Sequence, residues 1–199
     1  VDNLTFKQGM LAGGAAIIVF ILMCQFIMWY LALALIIAWM PFCIKYVLNL
    51  IEIDYALALY FAFIALQSIH MAEHVAQMVQ IHLLGRMFAN SHGLFGAALD
   101  VEALHFAFDS LWIPGWTLYL IYKRKDIWMI LMLPLALLHC AEHVVIMDYY
   151  LRTGITGSPG IMAIGGLIGS PLSRPDLHFL YNAVETACMV LGFRKAIEE

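Results

Sequence analysis

Between Gly9 and Ile44 the chain carries no charged residue. An apolar run of that length has one common physical home, the hydrocarbon interior of a bilayer, where about 20 residues make one helical crossing. Three more long apolar stretches follow, at about Tyr55 to Leu84, Val101 to Tyr122 and Ile127 to Leu151, and a fifth runs from Pro175 to Arg194. The reading is therefore an all-α integral membrane protein with five transmembrane helices. The first is a long tilted helix ending near Pro41. The second ends at Gly85 and the fourth at Gly154, both suited to a left-handed helix cap.

Composition agrees and removes other classes. Hydrophobic residues make up 64% of the 199 and charged residues 12%, and mean hydropathy is +0.88, against about 45–50% apolar and roughly 25% charged in soluble domains. Ten Lys+Arg against fourteen Asp+Glu give a net charge of -4 with no basic stripe, which argues against a nucleic-acid partner. Cys24, Cys43, Cys140 and Cys188 lie inside apolar segments without framework spacing and read as free thiols. Basic residues gather at Lys45, at Lys123 to Lys125 and at Arg194 and Lys195. By the positive-inside rule those ends are cytoplasmic, so the N-terminus lies outside and the C-terminus inside.

An internal repeat carries the polar residues. Residues 70–75 read His-Met-Ala-Glu-His-Val and residues 139–144 read His-Cys-Ala-Glu-His-Val. Gly85 and Gly154 follow at the same displacement, and Leu104-His105-Phe106-Ala107-Phe108-Asp109 matches Leu177-His178-Phe179-Leu180-Tyr181-Asn182. The repeated unit is a hairpin of two spans. The chain divides into residues 1–50, an N-terminal transmembrane segment with its cytoplasmic connection; residues 51–125, the first hairpin; and residues 126–199, the second. The last four helices are expected to form a pseudo-twofold four-helix bundle.

Counted from the cytoplasmic helix ends, His70, His105, His143 and His178 each stand about 24–26 Å up their helices, in one layer. Positions i, i+3 and i+4 share a helix face. His70, Glu73 and His74 therefore present three ligand-type groups together, as do His139, Glu142 and His143, and His105 and His178 join them from the partner helices. A single histidine on an apolar helix is ordinarily a hydrogen-bonded core residue. Six at one depth, with in-span carboxylates Glu73, Asp109, Glu142, Asp148 and Glu185, need a compensating cation or proton, because ionised groups in lipid are costly. Arg86, Arg152 and Arg174 at the outer helix ends are the basic side chains placed to reach one of them.

The expected ligands are His70, Glu73, His74, His105, His139, Glu142, His143 and His178, with Asp109, Asn182, Gln77 and Glu185 around them. Imidazole and carboxylate donors suit a transition metal, with copper or iron ahead of zinc, and two metals would use the whole set. The repeats differ at Asp109 against Asn182, Trp112 against Glu185 and Met71 against Cys140, so the halves are chemically unequal. His82 and His92 are not repeated and read as interfacial. Two Gly-rich apolar loops, at residues 93–96 and 153–173, are candidate lids over the layer.

The leading expectation is a membrane oxidoreductase, or a subunit of one, with a two-metal centre toward the extracytoplasmic side. Other membrane subunits or further copies of the chain are the expected partners. The alternatives are a haem-b electron-transfer subunit, a transporter or accessory subunit, and a zinc hydrolase, since H-x-x-E-H also describes an inverted zinc-peptidase motif.

Overall fold

The computed structural model describes residues 29–96 and 101–198. The expected start of the first span, the side on which the N-terminus lies and the setting of Cys24 fall outside those residues. The described chain is helix and loop, without a strand. We number five helices: α1, Trp29–Ile53; α2, Tyr55–Met78, continued by a π-helical turn at Val79–Leu83; α3, running through Glu102–His105, Phe106–Trp112 and Ile113–Arg124; α4, Ile127–Thr153; and α5, Arg174–Glu198.

Three segments are long and apolar enough to cross a membrane, Ile36–Ile53, Tyr55–Leu83 and Ile127–Thr153. Exposure follows the same logic. Large apolar side chains such as Phe42, Leu111, Leu118, Leu131 and Leu137 face outward, while Gln67, Asp109, His139, Glu142, Asn182 and Glu185 are fully buried. That pattern reverses the soluble case and matches a lipid surround.

The ends of the elements follow from local chemistry. Helix α1 does not stop near Pro41 but runs through it to Ile53, so the stretch after Lys45 is helical rather than a connection. Pro41 removes one donor, yet in an apolar surround the neighbouring backbone groups have no better partner than the helical ladder. The break comes at Asp54, whose extended backbone and side chain cap α2 by accepting from the Ala56 and Leu57 N–H groups. Asp126 caps α4 in the same way through Trp128 N–H. Gly154 ends α4 in the left-handed region, φ 69°, with its N–H on the Tyr150 carbonyl. The helix-stop reading of Gly154 therefore holds, and Gly85 lies two residues past the α2 turn at φ 63°.

The interior has two levels. Near the Lys/Arg-rich ends, Tyr60, Phe63, Ile113, Leu120, Met129, Met132 and Met189 form an apolar core. It is tied by Tyr60 Oη donating to Asp126 Oδ2 at 3.1 Å. Arg124 joins Asp54 Oδ2 at 2.5 Å and the Ala196 carbonyl at 3.1 Å. Gly192 lets α5 cross here, since a Cβ at that position would run into Tyr60 Oη and the Asp126 carboxylate. Above this level the interior turns polar. Helix α5 packs on α2 and α4, and α3 packs on α4, whereas α2 and α3 touch only sparsely.

Candidate metal centre

The repeated strings place their histidines on inward faces at the polar level. Two sets of three imidazoles result, His70 with His74 and His105, and His139 with His143 and His178, each with ligand atoms within 4.8 Å of one another. In both sets the i, i+4 pair turns Nε2 toward Nε2 at 3.2 Å. With metal–nitrogen bonds of about 2.0–2.1 Å, that separation corresponds to an angle of about 100° at a shared ion, near tetrahedral. The third histidine of each set is fixed by the carbonyl one turn earlier. His178 Nδ1 lies 2.9 Å from the Arg174 oxygen and His105 Nδ1 lies 3.3 Å from the Val101 oxygen. For His178 this leaves Nε2, buried without a hydrogen-bond partner, available to the centre, as when a ligand histidine is oriented by its other nitrogen.

Asp109 lies between the sets. Its carboxylate is fully buried, with Oδ1 3.3 Å from His70 Nε2 and Oδ2 3.0 Å from His143 Nε2 and 4.0 Å from His139 Nε2. These approaches are close in distance but off the hydrogen-bonding direction, and both oxygens lack a hydrogen-bond donor. His74 Nδ1, His143 Nδ1, His178 Nε2 and Glu185 Oε2 are likewise buried without a partner. Orphaned polar atoms are rare in folded interiors and costly. The unpartnered Asp109 oxygens and His178 Nε2, together with the paired Nε2 atoms of the i, i+4 histidines, have the donor set of a cation site.

Asp109 owes its place to a local deformation of α3. Phe106–Trp112 is a π-helical segment ending just before Pro114. The proline ring displaces the Ser110 carbonyl, which then accepts from the Cys140 thiol of α4 at 3.6 Å. The wider turn carries Asp109 and Ser110 into the interior, and such bulges recur at functional sites. The sequence flags the kink through Pro114, but the shift in register that centres Asp109 has no sequence signature.

The other expected ligands take different positions. Glu73 Oε2 accepts from the Leu94 and Phe95 N–H groups at 2.8 and 3.1 Å. The Glu142 carboxylate accepts from the Ile161 and Met162 N–H groups, both at 2.6 Å. Each glutamate thus anchors a loop, and neither belongs to a three-residue ligand set. The residue before each donor pair is a glycine with positive φ, Gly93 and Gly160, where a Cβ would overlap the carboxylate. Gln77 Nε2 donates to the Ser91 carbonyl at 2.8 Å, so its amide also holds the first loop. Glu185 Oε1 lies 3.1 Å from His139 Nδ1 and orients that ring. Asn182 faces away from the imidazoles. It accepts from Gln67 Nε2 at 2.8 Å and donates to the His178 carbonyl at 2.9 Å.

The arginines expected to reach inward stay at the rim. Arg174 makes a two-pronged pair with Glu102 at 2.9 and 2.6 Å. Arg152 pairs with Asp148 on the exposed surface, so Asp148 is not an interior carboxylate. His82 pairs with Asp176 at an exposed position, Nε2 to Oδ1 2.6 Å, whereas His92 lines a cavity of about 400 Å³ that reaches His74, His105, His143 and His178. No protein family, curated protein or solved structure matches the chain.

Proposed function

We propose that this chain is an integral-membrane metalloprotein. In this reading a pseudo-twofold bundle of two repeated hairpins holds one transition-metal ion in each three-histidine set, with Asp109 shared between them toward the extracytoplasmic side. The observation that carries it is the pairing of His70, His74 and His105 with His139, His143 and His178 around one buried carboxylate. Neutral imidazoles supply three ligands per ion, and the fourth position is left for Asp109, water or an exogenous molecule. Two ions sharing a carboxylate suit electron transfer and oxidation–reduction, so the class we favour is an oxidoreductase or a subunit of one, working with other membrane subunits or further copies of the chain.

The geometry argues against two of the alternatives. A haem takes two axial ligands and would leave four clustered imidazoles without a task. A zinc hydrolase built on H-x-x-E-H needs the motif glutamate near the metal-bound water, but both glutamates are engaged with loop N–H groups. The test is metal analysis by mass spectrometry, with an absorption spectrum, on protein purified without chelator. About two ions per chain are expected, falling to about one in His74→Ala and in His143→Ala. Metal content unchanged in both variants, or a Soret band in the spectrum, overturns the proposal.

A further inference from the structure

The two histidine sets meet their surroundings differently. His139, His143 and His178 are all buried, while in the other set only His74 is buried and His70 and His105 are part-exposed. That exposure has a definite shape. A cavity of about 260 Å³ opens between α2 and α3, walled by Leu66 and Ile69 on one side and Leu104 and Phe108 on the other, with His70 and His105 on its floor. Leu66 and Leu104 are 41% and 49% exposed on the outer surface. The cleft therefore faces the surround that holds the other outward apolar side chains.

The packing beside the two sets differs among the described residues. Helices α2 and α3 barely touch, whereas α4 and α5 pack closely. The larger cavity comes from the loop side and is lined by polar groups including His92, Glu102 and Arg174. His105 borders both spaces. The first set thus stands where an apolar side entrance meets a polar end entrance.

Resting on the two-metal reading, we infer that the ion held by His70, His74 and His105 is the one that binds an exogenous molecule. The cleft between α2 and α3 admits that molecule from the bilayer, as an alkyl-chain compound with a small metal-binding polar end. Transfer of an alkyl chain from lipid to an apolar protein wall has little hydrophobic driving force, because the tails are as apolar as leucine. Selectivity comes instead from the chain's concentration in the bilayer and from the cleft's shape, with the polar end supplying the bond at the ion.

The experiment uses the full chain in lipid nanodiscs loaded with Co²⁺, whose visible bands report a new nitrogen ligand. It is titrated in parallel with 1-octylimidazole and with imidazole. The readout is the ratio of the two apparent affinities. Wild type is expected to prefer 1-octylimidazole at least tenfold. Leu66→Trp and Leu104→Trp, which fill the cleft from opposite walls, should each lower the ratio at least tenfold, while Leu118→Trp, on the outward face of α3 elsewhere, should not. Co²⁺ uptake confirms that each variant is folded. Normal uptake with a ratio within twofold of wild type in both cleft variants overturns the side entrance alone. Wild-type protein that takes up no Co²⁺ overturns the metal reading as well, before any imidazole is added.

Discussion

Asp109→Asn is the most informative single change, because it keeps the shape of a fully buried side chain and removes the one charge both histidine sets share. Oδ1 lies 3.3 Å from His70 Nε2 and Oδ2 3.0 Å from His143 Nε2, so in the two-ion reading each oxygen would stand within bonding reach of the ion at its own set. At an effective dielectric constant of about 20, unit charges about 4 Å apart interact by about 4 kcal/mol, and a dication doubles that. Against this, the amide relieves the several kcal/mol that a buried carboxylate loses in desolvation. The two terms oppose each other with the attraction ahead, and the expected loss is the 10- to 100-fold typical of changes beside a metal, about 1.4–2.8 kcal/mol per ion. Competition against a chromophoric chelator would give both dissociation constants, and both should weaken. If both stay within threefold of wild type, Asp109 is no partner to the ions. If only one weakens, the carboxylate is not shared.

Gly160→Ala should destabilise the protein by about 2–4 kcal/mol, since its positive φ disfavours a side chain and the Cβ would displace the Glu142 carboxylate from two charge-assisted N–H bonds. Gly157→Ala is the control, with φ +86° but open space around its Cβ. Thermal unfolding and proteolysis within residues 153–173 should show a larger effect at Gly160, and equal effects would refute the anchor. Asp54→Ala should cost about 1 kcal/mol through the lost α2 cap, read by thermal unfolding. Partial burial raises the Asp54 pKa, but the Ala56 and Leu57 N–H groups and the Arg124 guanidinium outweigh it and hold the carboxyl below its ordinary value. Because the folded-state value is the depressed one, this contribution is complete above the ordinary carboxylate range and disappears as pH falls through the lowered value. The wild-type and Asp54→Ala melting temperatures should therefore converge in acid, and a gap that persists there would contradict the assignment.

The sequence showed most of what regular periodicity encodes. The i, i+4 histidine pairs, their partners His105 and His178 and the stops near Gly85 and Gly154 are local features of helices, and helices α2 to α5 lie close to where the apolar runs put them. What was not legible depends on backbone detail or on contacts between distant segments. Glu73 and Glu142 share a face with the histidines, so spacing alone made them ligands. Their actual partners are loop N–H groups about twenty residues on, presented only because Gly93 and Gly160 turn the chain beside them. Asp109 read as a neighbour of the site, and only the π segment before Pro114 brings it between the sets. The passage of α1 through Pro41 differs from the expected stop for another reason. In an apolar surround the backbone freed by a proline has no better partner than the helical ladder, so proline alone does not mark a helix end there.

The positions where the two strings agree and those where they differ do different work. Matching residues build matching parts, with an i, i+4 histidine pair, a third histidine set by the carbonyl one turn back, and a glutamate tying down a glycine-led loop. The differences fall on the charges and on the walls. Asp109 carries a carboxylate to the centre, while Asn182 at the matching place turns to Gln67 and the His178 carbonyl. Glu185 braces His139, while Trp112 at the matching place leaves its indole N–H without a partner. Asp109 and Glu185 lie against His70, His139 and His143, and neither has a Lys or Arg pair among the described residues. Carboxylates so placed are balanced either by protons or by bound cations. Protonating a histidine takes away the lone pair with which it would bind an ion, so in the proposed metalloprotein metal uptake would release protons. In the two-ion reading, the set braced by Glu185 and the set beside the α2–α3 cleft would then hold chemically different ions: one reached through the polar loop-side cavity alone, and one reached from the apolar cleft as well.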